Sequence, residues 1–226
     1  MKVGALIPCR TGSRGIIGKN FRELCGKPLW GWTFDVARKS EIFDLIIVSS
    51  DKQFDRPIET TGCKVFYDFR RPAEFATDKA SLDPLLVYYA DKYPEIEMWC
   101  LLQPTSPLRT VGDIKAAYKK VLNPKYDSLV SVTKDTMMYW IEKAVSTGHI
   151  ATYHIQKRPN RQNRKGFYRE VGAIYFAKDY VIKKLGLRLG GTIGLYKMPK
   201  QRSYSINDEL DWKIVTMLME RRHGRA

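Results

Sequence analysis

The chain has 226 residues, 44% of them hydrophobic and 12% aromatic, with a formal net charge of +15. That length suits one α/β domain with a substantial core and leaves little room for two. No apolar run reaches the ~20 residues that a bilayer crossing takes, so no membrane partner is expected.

The opening MKVGALIPCR carries a brief apolar run that Pro8 and Arg10 end before a signal-peptide core could form, so it reads as a buried first strand. CRTGSRGIIGKN follows, where Gly12, Gly15 and Gly18 let the backbone approach a ligand closely and Arg10, Arg14 and Lys19 supply positive charge. Backbone N–H groups in such a turn can cradle phosphate oxygens, while the cations offset charge that develops as a phosphoryl bond breaks. Two familiar phosphate motifs fail here. Ser13 and Asn20 stand where a Walker A loop needs Gly and Ser or Thr, and the glycines follow a GxxGxxG spacing with no GxGxxG.

A helix is expected over 29–39, then the strand LIIVSS, a loop RRPAEFATDKAS, a helix over 83–92 and the strand MWCLLQ. PTSPLRT makes a Pro-fixed turn, followed by a helix over 112–122 and the strands SLVSV and GAIYFA, with a last helix over 208–222. This alternation predicts an α/β fold with a mainly parallel sheet flanked by helices, whose ligand site lies along the edge where strand ends meet loops. Between about 134 and 170 the pattern turns polar, basic and aromatic, so residues 1–226 read as a single domain with an arm or lid there.

The cysteines Cys9, Cys25, Cys63 and Cys100 form no CxxC pair, and His149, His154 and His223 have no metal-ligand spacing. A reduced cytoplasmic setting follows, and neither zinc nor histidine chemistry is supported. The positive charge suits either nucleic acid or small anionic substrates. Basic residues gather at 157–169 and in the terminal RRHGR without a basic helix, zinc finger or aromatic RNA-binding signature, so no specific nucleic-acid partner is expected.

IPCRTGSRGIIGKNFRELCGKPL resembles the N-terminal signature of the acylneuraminate, or CMP-sialic acid synthetase-like, cytidylyltransferases. IIVSSD, RRPAEFATDKAS, LLQPTSPLRT, REVGAIYF and INDELDW fall in that family's order, so the resemblance spans nearly the whole chain. It implies the nucleotide-diphospho-sugar transferase fold, which is Rossmann-like, with a small dimerisation arm. It also implies an enzyme that moves CMP from CTP to the anomeric hydroxyl of a sialic-acid-like nonulosonic or related ulosonic acid, releases pyrophosphate, uses Mg2+ and works as a homodimer.

By that resemblance Arg10, Ser13 and Lys19 contact the triphosphate, with Arg10 and Lys19 carrying the catalytic charge stabilisation, Arg14 nearby and Asn20 close to the ribose. Arg71 helps to read cytosine, assisted by the backbone around Ala80. Gln103, Arg161, Arg169 and Tyr175 match residues that hold the sugar acid, with a strand cap as the plain alternative for Gln103 and core packing for Tyr175. Leu82 and Val171 depart from the family pattern, and MMYW at 137–140 replaces a stretch that often contains His and Pro. Where the family often shows two metal-binding aspartates, Ser205 and Asn207 stand, leaving Asn207 with Asp208 as the metal candidates. The plain alternative for NDELD is helix capping, with Asp208 as N-cap and Asp211 supporting that helix end.

Overall fold

The computed structural model describes residues 1–13, 15–53, 63–77, 80–142, 149–222 and 224. The first half of the chain alternates β1 (Val3–Pro8), the two-residue strands β2 (Glu23–Leu24) and β3 (Lys27–Pro28), α1 (Leu29–Ser40), β4 (Leu45–Ser49), β5 (Lys64–Asp68), α2 (Leu82–Lys92), β6 (Met98–Leu101) and α3 (Val111–Val121). The second half carries β7 (Ser128–Asp135), β8 (Trp140–Glu142), β9 (His149–Ala151), β10 (Phe167–Lys178), α4 (Asp179–Leu185), β11 (Ile193–Lys197) and α5 (Glu209–Arg222). Seven strands make one sheet in the order β11-β7-β10-β6-β1-β4-β5.

Strand β1 is buried at every position and pairs in parallel with β4 on one side and β6 on the other. Its side chains alternate between faces, as a strand's period of two requires. Val3, Ala5 and Ile7 pack with Trp30 and Phe34 of α1 and Ile114 and Ala117 of α3. Leu6 packs on the other face with Leu85, Leu86 and Tyr89 of α2 and Val181 and Ile182 of α4. Burying each such aliphatic side chain contributes about 1.5–3 kcal/mol, which is why the runs expected to be strands formed the centre of the sheet. A third cluster joins Ile16 and Leu24 to Ile206, Trp212 and Val215, and so seats α5 beside the loop that follows β1.

The helices expected over 29–39, 83–92, 112–122 and 208–222 are α1, α2, α3 and α5 to within a residue or two. Local capping explains two of the starts. The Ser81 hydroxyl accepts from the Asp83 N–H, and Thr110 with Asp113 forms a reciprocal capping box. GAIYFA proved to be the inner part of β10, which runs antiparallel to both β6 and β7 in an otherwise parallel sheet. The outer half of β10 is exposed and lacks a continuous apolar run, so its residues read as arm. The same holds for the end of β7: Lys134 and Asp135 belong to the sheet, and the part that leaves it lies between Asp135 and Phe167 and carries the antiparallel β8–β9 pair. The edge strands β5 and β11 and the short α4 were not expected, because half-buried edges carry only a weak apolar signal. Among the described residues no helix is long and apolar enough to cross a membrane.

Candidate functional site

The carboxyl ends of β1 and β6 open onto a cleft of about 280 Å³. Arg10, Ser13, Lys19 and Asn20 reach it from the loop after β1, Arg71 and Ala80 from the segment after β5, and Gln103 from the turn after β6. Thus every described residue expected to hold a nucleotide lines one wall, joined by Leu82 and Thr105. Arg14 lies outside the described residues. An open α/β sheet places its ligand at this strand edge for topological reasons.

The loop is pinned from two sides. Thr11 donates its backbone N–H to Asp51 Oδ1 at 2.8 Å and its hydroxyl to Asp51 Oδ2 at 2.9 Å, which ties the loop to the end of β4. Asn20 Nδ2 donates to the Arg10 carbonyl at 2.8 Å, so this side chain shapes the turn from inside. Lys19 Nζ donates to the Ile206 carbonyl at 3.0 Å, fastening the loop to the segment before α5. That approach demands a glycine at 15, where a Cβ would stand 2.2 Å from the Asn207 carbonyl oxygen. Burial pulls the Lys19 ammonium below its usual range, neighbouring Arg10 adds to the shift, and Asp211 opposes it. An anion entering the cleft would relieve that repulsion. Asp51 escaped the sequence reading, although a carboxylate closing the apolar run IIVSS is a polar residue at a strand's ligand-facing end.

Arg71 is 5% exposed. Its Nη2 donates to the Phe75 carbonyl at 2.5 Å, whereas Nε and Nη1 have no hydrogen-bond partner among the described residues. Burial lowers its pKa from the usual guanidinium range, with the nearby Tyr89 and Asp51 acting the other way. Unpaired buried donors cost about 1–3 kcal/mol each, so a pair of them in a cleft wall marks where an acceptor edge of a ligand fits.

The residues expected around the acceptor are not brought together as a set. Gln103 faces the cleft, with its carboxamide lying over Gly172 of β10. Tyr175 is 4% exposed and packs in the core; its hydroxyl donates to Glu170 Oε1 at 2.6 Å, and the Arg188 guanidinium sits 5.1 Å above its ring. Arg169 lines a separate groove with Lys134, Asp135, Arg164 and Lys200, and its Nη2 reaches the Ser203 hydroxyl at 3.4 Å. Arg161 falls in a short 3-10 turn, and its side chain lies outside the described atoms.

At the start of α5, Asp208 Oδ1 accepts from the Asp211 N–H and Asp211 Oδ2 accepts from the Asn207 N–H, both at 2.9 Å, so the capping reading of NDELD is what the chain does. The Ser205 hydroxyl lies 3.0 Å from that of Ser106. No group of three or more His, Cys, Asp or Glu able to hold a metal occurs among the described residues. Asn207 and Asp208 are exposed and offer oxygen donors, a sparse set that fits a hard cation completed by phosphates and water.

A family model described as cytidylyltransferase matches residues 4–216. The chain belongs to the cytidylyltransferase family. It is 30% identical over 225 residues to N-acylneuraminate cytidylyltransferase of Escherichia coli O18:K1:H7, covering 98% of this chain and 53% of that protein. It is 31% identical over 219 residues to N-acylneuraminate cytidylyltransferase A of Danio rerio, covering 94% and 49% respectively. The chain therefore spans about half the length of these relatives. A relative of matching length is CMP-N,N'-diacetyllegionaminic acid synthase of Legionella pneumophila, 29% identical over 228 residues and covered to 97% on both sides. Among solved structures, CMP:2-keto-3-deoxy-manno-octonic acid synthetase complexed with CTP superposes with a TM-score of 0.66 at 16% identity, over 98% of this chain and 100% of that one, which shows the fold.

Proposed function

We propose that this cytidylyltransferase transfers CMP from CTP to the anomeric hydroxyl of a sialic-acid-like nonulosonic or related ulosonic acid, releasing pyrophosphate. The observation that carries the reading is one cleft in which a cationic, glycine-punctuated loop faces a buried Arg71 with two unpaired donors. Cytosine offers a carbonyl oxygen and a ring nitrogen as adjacent acceptors, a match for a guanidinium fork. Ala80 supplies backbone beside it, and Asn20 shapes the wall near the ribose.

The anomeric oxygen attacks the α-phosphorus, its bond forms as the bond to pyrophosphate breaks, and the hydroxyl proton is lost to solvent. Arg10 and Lys19 offset the charge that builds on the phosphate oxygens, with Ser13 donating from the loop. Asn207 and Asp208 would hold Mg2+ beside the phosphates, and that ion supplies further charge neutralisation when bound. Gln103 hydrogen-bonds the acceptor at the cleft. Arg169, with Lys134 and Lys200 beside it, serves the acceptor's carboxylate from the neighbouring groove, with Arg161 completing that site, while Tyr175 supports β10 from the core. The names of the N-acylneuraminate and diacetyllegionaminic acid relatives support this acceptor class.

The arm is assigned to a homodimer contact, since Met137, Trp140, Ile141 and Phe167 stand exposed on it. Four cysteines, Cys9, Cys25, Cys63 and Cys100, with no CxxC pair suit a reducing cytoplasm.

Pyrophosphate release with CTP and each of N-acetylneuraminic, N,N'-diacetyllegionaminic and 2-keto-3-deoxy-manno-octonic acid tests the reading. Release is expected with CTP and at least one of these acids. Equal turnover with UTP, ATP or GTP, or none with any acid, would overturn it.

A further inference from the structure

Beneath the cleft lies an irregularity in β10 that the cleft-lining residues do not explain. Against β7, β10 pairs Glu170 with Val132 and then Tyr175 with Val130, so five steps along β10 face two along β7. Ser131 stitches across this bulge, donating its hydroxyl to the Val171 carbonyl at 2.6 Å and accepting from the Ile174 N–H at 2.9 Å. Two residues inside the bulge meet the turn after β6. A Cβ on Gly172 would stand 2.1 Å from Gln103 Oε1, and the Ala173 carbonyl accepts a hydrogen bond from Arg109 Nη1.

Arg109 is fully buried. Its Nη1 also reaches the Gln103 carbonyl at 3.4 Å, and its Nη2 donates to the Thr33 hydroxyl of α1 at 2.6 Å. No carboxylate receives this guanidinium among the described residues, and its Nε has no partner there. A buried guanidinium held by neutral acceptors is a costly arrangement compared with an apolar side chain of similar size, so packing alone does not account for it. What the arrangement achieves is a bridge between three elements at one point, the backbone of Gln103.

The geometry points to Arg109 as a positioning residue that, with Thr33 behind it and Gly172 beneath, sets where the Gln103 carboxamide stands and so tunes recognition of the acceptor. It touches neither nucleotide nor acceptor and acts through Gln103. This inference rests on the reading that Gln103 contacts the sugar acid. A fork is needed, because two carbonyls and a hydroxyl on three elements are reached at once; an ammonium has no such fixed spread.

The test measures acceptor KM, kcat and CTP Kd for Arg109→Lys, Thr33→Val, Thr33→Ser, Gly172→Ala and Gln103→Ala, using whichever of the three acids above is turned over. Arg109→Lys, Thr33→Val and Gly172→Ala should each raise acceptor KM about tenfold while CTP Kd stays within twofold, and Thr33→Ser should restore the native value. In a Gln103→Ala background Thr33→Val and Gly172→Ala should add nothing further. Full additivity in that background, or a CTP Kd that moves in step with KM, would overturn the proposal. Should Arg109→Lys fail to fold, the Thr33 and Gly172 variants decide the matter. A Gln103→Ala enzyme with unchanged acceptor KM would instead overturn the placement of Gln103 itself, an outcome separate from the failure of Arg109 to act through it.

Discussion

Arg71 lines the cleft, and two of its buried nitrogens have no hydrogen-bond partner among the described residues, so replacing it removes donors left for a ligand. Arg71→Ala should weaken CTP binding by about 1.5–3 kcal/mol per lost charged hydrogen bond, roughly tenfold or more in Kd, read by titration calorimetry. An unchanged Kd would remove its role in reading the base. Lys19→Ala and Arg10→Ala should each depress kcat strongly without unfolding the protein, because neither side chain belongs to a core cluster. Lys19 also makes an expectation about pH. Its cation is held below the usual lysine range by burial and by Arg10, so CTP affinity should fall with rising pH sooner than an ordinary lysine would allow, and Lys19→Arg should push that fall upward. Glycines and cations clustered behind a strand were legible in the sequence. Asp51, whose carboxylate holds Thr11, was not, since one acidic residue at a strand end carries no pattern of its own. Tyr175 was legible as two alternatives, and the core reading describes its burial.

Among the elements, α5 and the loop after β1 depend on each other through contacts that no local sequence pattern announces. Gly15→Ala would drive a Cβ into the Asn207 backbone, so it should loosen the loop and lower both stability and CTP affinity, whereas Gly12→Ala, with open space around it, should leave stability unchanged. Helix α3 is anchored by Asp113, which is 1% exposed. Its two oxygens accept from Arg202, Tyr196 and Thr110 at 2.7–2.9 Å. Burial alone would raise this carboxyl, but those hydrogen bonds outweigh it and hold it below the usual carboxylate range. A folded pKa below the unfolded one stabilises the fold fully above the unfolded value, and that stability is lost as pH falls through the folded value. Asp113→Asn should therefore cost about 1–3 kcal/mol at neutral pH and flatten the acid limb of a denaturation curve. Thr110 and Asp113 at capping-box spacing were readable; Arg202, 89 residues away from Asp113, was not.

For the whole molecule, buried strands were easy to anticipate because apolar runs set them, and the mainly parallel character of the sheet followed from alternation with helices. The antiparallel β10, the edge strands and the separation of Arg169 from the nucleotide cleft arise from tertiary pairing, to which a local pattern is blind. The exposed arm makes an assembly-level prediction. The chain should sediment as a dimer, and Trp140→Glu with Ile141→Glu should shift it to monomer without unfolding the sheet; a native monomer at micromolar concentration would contradict this. The central claim concerns where the nucleotide lies, and a crystal structure with bound CTP tests it most directly. The expected result is the triphosphate against Arg10, Ser13 and Lys19 with cytosine on the free nitrogens of Arg71. A nucleotide lodged elsewhere, with that loop and Arg71 untouched, would contradict it.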